Sequence, residues 1–202
     1  MLQTQTVVPD LLELLKKLMD EKIFSSFNLV GGTSLALQMG HRNSVDIDLF
    51  GNAEIEVDLF IDKLSTFGEV VVTQSTKNIL ITKIDDIKVD FVNYKYPLLT
   101  DILVKDNIRM LSFKDIAAMK LNAIAGRGSK KDFIDLYFLL KEFSLQEILS
   151  FYGRKYHDGS LFMVEKSLTY FDDADLQLQP IMYKDFDWEM CRKTIIEAVL
   201  KL

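Results

Sequence analysis

The sequence predicts a mixed α and β fold, with an α/β half over residues 1–110 and an α-helical half over residues 111–202. In the first half, segments with the apolar spacing of helices alternate with segments in which apolar and polar side chains take turns, as they do in strands. From residue 112 onward, helical spacing dominates. The chain has 202 residues, 49% of them hydrophobic, which is enough for one core with a helical appendage.

The first elements follow from apolar spacing and from the residues that interrupt it. Residues 9–26 carry leucines on one helical face and a proline in the first turn, where proline favours a helix start. A strand over residues 27–30 ends at two glycines, and a helix over residues 33–39 ends at a third. Residues 45–50 alternate apolar and acidic side chains, which is typical of a strand.

The remaining elements are predicted in the same way. Residues 54–67 have the spacing of an amphipathic helix. Three strands are expected over residues 69–73, 79–84 and 87–94, and two helices over residues 113–125 and 131–143. The pair Asp85 and Asp86 is placed at a hairpin turn, although such turns favour glycine. Less regular helices are expected from there to residue 202.

Charge and composition narrow the function classes. The net charge is −6 and the pI is about 5.0, which argues against a broad surface for nucleic acid. Residues 118–131 contain four basic and no acidic residues, so a local basic cleft is expected there. A single cysteine, Cys191, excludes an internal disulfide. With no leader-like segment and no apolar run of roughly 18 residues, a cytoplasmic location without membrane contact is expected.

Two aspartates on one predicted strand suggest metal chemistry. Asp46 and Asp48 share a strand face because side chains two residues apart project together. Adjacent carboxylates repel each other unless a cation neutralises them, and Mg²⁺ (or Mn²⁺) prefers such oxygen ligands. The alternative is a pair of solvated aspartates on an exposed strand edge.

A third carboxylate, Asp90, lies within an otherwise apolar predicted strand. An unpaired carboxylate in such surroundings is costly. If this strand lies beside that of Asp46 and Asp48, the three form an acidic cluster suited to two metal ions. The alternative is that Asp90 faces solvent on an edge strand.

Residues 31–34, Gly-Gly-Thr-Ser, have the composition of a phosphate-binding turn. Gly31 and Gly32 allow a tight turn and the close approach of a phosphate, and the helix N-terminus that follows favours an anion. Thr33 or Ser34 could donate a hydroxyl to a phosphate oxygen. The simpler alternative is that one of them caps the helix.

Together these motifs resemble the polymerase-β-type nucleotidyltransferase superfamily, and more closely the AbiEii/AbiGii toxin family. The first motif of this family lies within residues 29–50. It consists of Gly-Gly-Thr, then Ala-Leu, then His-Arg-x-Ser-x-Asp-x-Asp-Leu-Phe. The second consists of Lys120 followed by Lys-Asp-Phe-Ile-Asp-Leu at residues 131–136. The resemblance covers roughly residues 28–140, and residues 144–202 match no motif.

The resemblance implies a nucleotidyltransferase core with a small mixed sheet, followed by a helical region that completes the active-site cleft. It assigns catalytic roles to Asp46, Asp48, Asp90, Lys120 and Asp135, with the first three as metal ligands. It assigns triphosphate binding to Gly31, Gly32, Thr33, Ser34, Arg42 and Lys120. Asp132 is expected to hold its helix in place through Arg127 or Lys131.

Two basic residues before the aspartates have open roles. Arg42 either reaches a phosphate or pairs with an aspartate across the loop. His41 either polarises a substrate group or stabilises the turn. Because the chain has two scattered histidines and one cysteine, a zinc site is not expected.

The expected reaction is transfer of a nucleotide from an NTP to an acceptor hydroxyl, with Asp90 accepting the proton. The resemblance implies a toxin that acts beside an antitoxin protein, on tRNA or another RNA or on a protein. Two alternatives are a small-molecule nucleotidyltransferase of the antibiotic-modifying type, which the acidic charge favours, and a non-catalytic binding module that keeps the fold.

Overall fold

The computed structural model describes all 202 residues, which divide into two compact units. The first consists of Met1–Lys95 with Ile102–Leu111, and the second of Tyr96–Asp101 with Ser112–Leu202. All seven strands lie in the first unit, and helices α4 to α9, defined below, lie in the second. None of the helices is long and apolar enough to cross a membrane.

The first unit contains three α-helices and one seven-stranded sheet. Its helices are α1 (Pro9–Asp20), α2 (Gly31–Met39) and α3 (Val57–Leu64). Its strands are β1 (Phe27–Leu29), β2 (Asp46–Gly51), β3 (Val70–Ser75), β4 (Ile79–Ile84), β5 (Ile87–Asn93), β6 (Leu103–Lys105) and β7 (Ile108–Met110). Short 3₁₀ turns lie at Thr4–Thr6 and Lys22–Phe24.

The sheet is mixed, in the order β3-β4-β5-β2-β1-β7-β6. Strand β2 runs parallel to β5, and β1 runs parallel to β7, while the other neighbours are antiparallel. The predicted mixed fold is therefore confirmed. Because β2 and β5 are central neighbours, the two strands that carry the predicted carboxylates lie side by side.

An aromatic cluster fills the core of the first unit. Phe24, Phe27, Phe60 and Phe91 lie with ring centroids 4.9 to 5.6 Å apart. Their rings meet mostly edge to face, a geometry that adds to the stabilisation from burial. Because Phe91 follows Asp90 on β5, its burial fixes which way the strand faces.

The hairpin of β6 and β7 was not predicted. Its turn consists of Asp106 and Asn107, which both have positive φ, at 50° and 64°. These are residues that tolerate the left-handed conformation of a tight hairpin turn without glycine. The alternation of Ile108, Arg109 and Met110 after this pair was the available signal.

The second unit is helical and comprises α4 to α9. They are α4 (Phe113–Gly126), α5 (Lys130–Leu139), α6 (Leu145–Lys155), α7 (Leu161–Ser167), α8 (Asp172–Asp175) and α9 (Trp188–Val199). Helix α6 begins with a capping box, in which Ser144 and Glu147 bond to each other's main-chain N–H groups. A break separates α4 from α5 as predicted, but it comprises residues 127–129, because Gly126 still belongs to α4.

A buried ion pair ties the second unit together. Asp115 and Lys155 are both fully buried, and Lys155 Nζ lies 2.8 Å from Asp115 Oδ1. The main-chain N–H of Leu99 also donates to this carboxylate, at 2.9 Å, and Lys155 donates to the carbonyl of Pro97 at 2.8 Å. These two hydrogen bonds connect the segment Tyr96–Asp101 to α4 and α6.

Candidate active site

The β2–β5 ladder brings three predicted carboxylates onto one face of the sheet. Asp48 pairs in register with Asp90, and Asp46 pairs with Lys88. Ile47 is fully buried on the opposite face of β2, so the alternation leaves the two β2 aspartates on the less buried side. We call Asp46, Asp48 and Asp90 the carboxylate face.

Lys88 belongs to the same face and was missed in the sequence. Its ammonium donates a hydrogen bond to Asp90 Oδ2. Burial lowers the pKa of Lys88, but the hydrogen bond to Asp90 and the charges of all three carboxylates outweigh it, and the pKa is raised. The available signal was spacing, because a residue two positions before Asp90 on a strand shares its face.

The chemistry of the carboxylate face fits a divalent cation. Its donors are carboxylate oxygens, which Mg²⁺ and Mn²⁺ prefer. The second oxygen of Asp90, Oδ1, is buried and has no hydrogen-bond partner, and its side chain is 13% exposed. In the present arrangement, however, no three acidic, histidine or cysteine side chains converge closely enough to hold a metal.

The predicted phosphate turn differs from the structure in its boundaries. Helix α2 already begins at Gly31, two residues earlier than predicted, and no side chain caps its N-terminus. Gly31 has a φ of 67°, and a Cβ atom there would lie 2.6 Å from Asp48 Oδ2. A glycine is therefore required for the chain to pass this close to the Asp48 carboxylate.

We expect Gly31→Ala to displace the Asp48 carboxylate and to strain the backbone at the same time. A left-handed alanine costs about 1–2 kcal/mol, so the free energy of unfolding should fall by about that much, and nucleotide transfer should fall with it. Urea unfolding and a transfer assay measure the two effects.

Gly153→Ala is the matched control for this substitution. Gly153 lies within α6, where a Cβ atom would meet nothing within 4 Å, so unfolding should be unaffected or become slightly harder. Equal behaviour of the two variants would contradict a special requirement at Gly31.

The two hydroxyl residues of the turn point into the protein. Thr33 is 1% exposed, donates to the carbonyl of Asp46, and its Oγ1 lies 2.8 Å from Ser44 Oγ. Ser34 is fully buried and accepts a hydrogen bond from Gln38 at 3.0 Å. The Thr33 hydroxyl therefore ties α2 to the start of β2, and the Ser34 hydroxyl is directed away from solvent.

Arg42 lies against the first turn of α2. It is 2% exposed, and Nη1 donates to the carbonyl of Asn43 at 2.7 Å. A Cβ atom on Gly32 would lie 2.5 Å from Nη2, so the second glycine makes room for this guanidinium. His41 is fully buried beside it. The guanidinium thus adds a positive charge to the helix N-terminus of α2.

In the second unit, Lys120 and Asp135 lie in a buried charge cluster. Lys120 Nζ lies 2.6 Å from Asp135 Oδ2 and 3.0 Å from Asp132 Oδ1, and both aspartates are fully buried. Arg127 Nε donates to Asp132 at 2.9 Å, so Arg127 is the predicted partner that is found. The second cation that bonds to Asp132 is Lys120 and not Lys131.

Only half of the positive charge expected in a basic cleft over residues 118–131 lies at the surface, on the exposed side chains of Arg127 and Lys131. Lys120 is 5% exposed and neutralised by two aspartates, and Lys130 is 7% exposed. Lys130 Nζ donates to the carbonyl of Gln177 at 2.6 Å and lies over the ring of Trp188. The charge of residues 118–131 does not predict these partners, because Asp135 and Gln177 lie outside that segment.

We expect Asp132 to make the second unit sensitive to acid. Burial raises its pKa, but Lys120, Arg127 and Ser129 prevail and lower it from 3.8 to about 2. A lowered pKa stabilises the fold above the unfolded-state value, and the stabilisation is lost as the pH falls through the folded value. The advantage in unfolding free energy over Asp132→Asn should therefore shrink by about 2 kcal/mol between about pH 4 and pH 2.

Urea unfolding at a series of pH values measures this difference. Asp173→Asn, at an exposed aspartate of the same unit, is the control and should track the wild type throughout. Parallel curves for wild type and Asp132→Asn would show that the carboxylate does not titrate low.

The fold is similar to those of two solved bacterial proteins. JHP933 from Helicobacter pylori superposes with a TM-score of 0.63 at 18% identity, over 95% of this chain and 88% of that one. MenT4 from Mycobacterium tuberculosis H37Rv, described as a nucleotidyltransferase toxin, superposes with a TM-score of 0.61 at 14% identity, over 96% and 83% of the two chains.

Sequence comparison gives the family itself. The family model described as "Nucleotidyl transferase AbiEii toxin, Type IV TA system" matches residues 13–199. An uncharacterized protein of Aquifex aeolicus (strain VF5) is 39% identical over 188 residues, which is 88% of each chain. The chain belongs to the AbiEii nucleotidyltransferase family, as the resemblance predicted, and it is a nucleotidyltransferase.

Proposed function

We propose that this nucleotidyltransferase moves an NMP unit from an NTP to an acceptor hydroxyl on RNA, as the toxin of a toxin–antitoxin pair in the cytoplasm. The observation that carries the proposal is the register of β2 and β5, which sets Asp48 beside Asp90 with Asp46 on the same face. The family description supplies the toxin role and the expectation of an antitoxin partner.

Asp46, Asp48 and Asp90 would hold the divalent cation, Mg²⁺ or Mn²⁺. When bound, such a cation supplies neutralisation of phosphate charge and orientation of the reacting oxygens. Gly31 and Gly32 bring main-chain N–H groups of α2 to an anion, and Arg42 adds its charge there. We assign the triphosphate to this helix N-terminus.

In the proposed step, the acceptor oxygen attacks the α-phosphorus, and the bond from that phosphorus to the bridging oxygen breaks. Pyrophosphate leaves with the bonding electron pair, and the acceptor proton passes to Asp90. We assign Lys120 no part in this step, because Asp132 and Asp135 neutralise its buried ammonium.

The test is incubation with each α-³²P-labelled NTP, Mg²⁺ and total cellular RNA, beside Asp48→Ala protein. Label that enters RNA with the wild type alone supports the proposal and identifies the nucleotide. NTP binding without transfer to any RNA would reject the RNA acceptor.

A small cationic acceptor is the second candidate, and a specific observation favours it. The net charge is −6, and two of the four basic side chains expected to attract RNA, Lys120 and Lys130, are buried. An acidic protein draws cationic small molecules more readily than RNA. Adding aminoglycosides to the same labelled reaction distinguishes the two, since label would then appear in a small product.

A further inference from the structure

Lys88 occupies a position that the proposed chemistry does not use. On β5 it lies two residues before Asp90, and across the ladder it pairs with Asp46. One lysine and three aspartates therefore share a patch of adjacent register positions. The ammonium of Lys88 bonds to Asp90 Oδ2, so one of the oxygens proposed for the metal already carries a cation.

We propose that Lys88 is the resting counter-ion of the carboxylate face, and that it competes with the divalent cation for Asp90. This inference rests on the proposed function, because it assumes that the carboxylate face holds the metal. Three carboxylates on one face repel each other, and a nearby ammonium relieves that repulsion when no metal is bound.

The exposure of the two side chains supports an exchange. The Asp90 side chain is 13% exposed, whereas that of Lys88 is 48% exposed. The carboxylate is thus held in place, while the ammonium is at the edge of solvent and can leave without crossing the core. A flexible four-carbon stem suits such a movement.

The convergence of the donors points the same way. No three acidic side chains come together closely enough for a metal while Lys88 holds Asp90. Release of Lys88 would free Oδ2 of Asp90, whose residue pairs in register with Asp48. The lysine would then set how much free metal, or metal brought by the NTP, the enzyme needs before it is competent.

The experiment is titration of the full-length protein with Mn²⁺ alone, followed by the electron paramagnetic resonance signal of free Mn²⁺. Lys88→Met removes the ammonium and keeps the apolar stem, and we expect it to bind Mn²⁺ about tenfold more tightly than the wild type. Lys88→Arg keeps the charge and should bind like the wild type. Lys88→Gln tests the loss of charge in a second, polar side chain.

The outcomes separate this inference from the proposed function. If Asp48→Ala abolishes Mn²⁺ binding, the metal site is supported. If Lys88→Met and Lys88→Gln then bind Mn²⁺ no more tightly than the wild type, the counter-ion role of Lys88 is rejected. Absence of Mn²⁺ binding in all proteins rejects the metal site and the inference together. As a further readout, Mn²⁺ should raise the Tm of Lys88→Met more than that of the wild type.

Discussion

We expect Asp48→Ala to lower nucleotide transfer by at least about 10³-fold while leaving the fold intact. Asp48 lies at the centre of the carboxylate face, beside Asp90 in the ladder and against the glycine that opens α2. Loss of its carboxylate would remove one of three proposed metal ligands, together with its repulsion of the other two carboxylates. The measurement is the initial rate of label transfer, with the Tm as a check on folding.

Two further variants sharpen this result. Asp48→Asn keeps the shape of the side chain and removes the charge, so a comparable loss would assign the effect to charge. Asp62→Ala makes the same change at an exposed position of α3 and should transfer at the wild-type rate. If Asp48→Asn keeps more than about a tenth of the activity, Asp48 is not a ligand in the reaction.

The largest effect on stability is expected at Lys155. Lys155→Met would leave Asp115 charged and fully buried without its cation, which costs about 3–5 kcal/mol in comparable pairs. The midpoint of urea unfolding should fall accordingly. The double variant Lys155→Met with Asp115→Leu removes both charges. Its loss of unfolding free energy should be smaller than the sum of the two single losses, because it leaves no buried charge without a partner.

An exposed pair of the same unit provides the control. On α9, Lys193 Nζ lies 3.9 Å from Glu197 Oε1, and the two side chains are 69% and 53% exposed. Lys193→Met should change the unfolding free energy by less than about 0.5 kcal/mol. A loss of that size at Lys155 as well would mean that water or a rearranged neighbour compensates Asp115.

The elements that the sequence predicts best are those whose side chains alternate. The strand predicted over residues 79–84 has the same bounds as β4, and the predicted strand face shared by Asp46 and Asp48 is found in β2. Alternation at period two leaves little choice, since a one-residue slip would bury the aspartates and expose Ile47. The adjacency of β2 and β5 was a condition of the prediction, and the sheet order meets it.

The features that were missed depend on contacts distant in sequence. The hydroxyls of Thr33 and Ser34 were expected to face a phosphate. In the structure, the Thr33 hydroxyl bonds to Ser44, eleven residues later, and the Ser34 hydroxyl accepts a hydrogen bond from Gln38. Lys120 looked exposed because its aspartates lie on the next helix. Lys88 lies two residues before Asp90 in the sequence, but only the ladder shows that it also pairs with Asp46.

The segment Tyr96–Asp101 belongs to the helical unit, although the chain returns to the sheet for residues 102–111 before α4 begins. During synthesis this segment is therefore made before the hairpin of β6 and β7, and the carbonyl of Pro97 has to wait for Lys155, the residue that donates to it. A gene truncated to residues 112–202 would lack the main-chain groups that bond to Asp115 and Lys155. Expression of the helices alone should for this reason include residues from Tyr96 onward, supplied in cis or as a peptide.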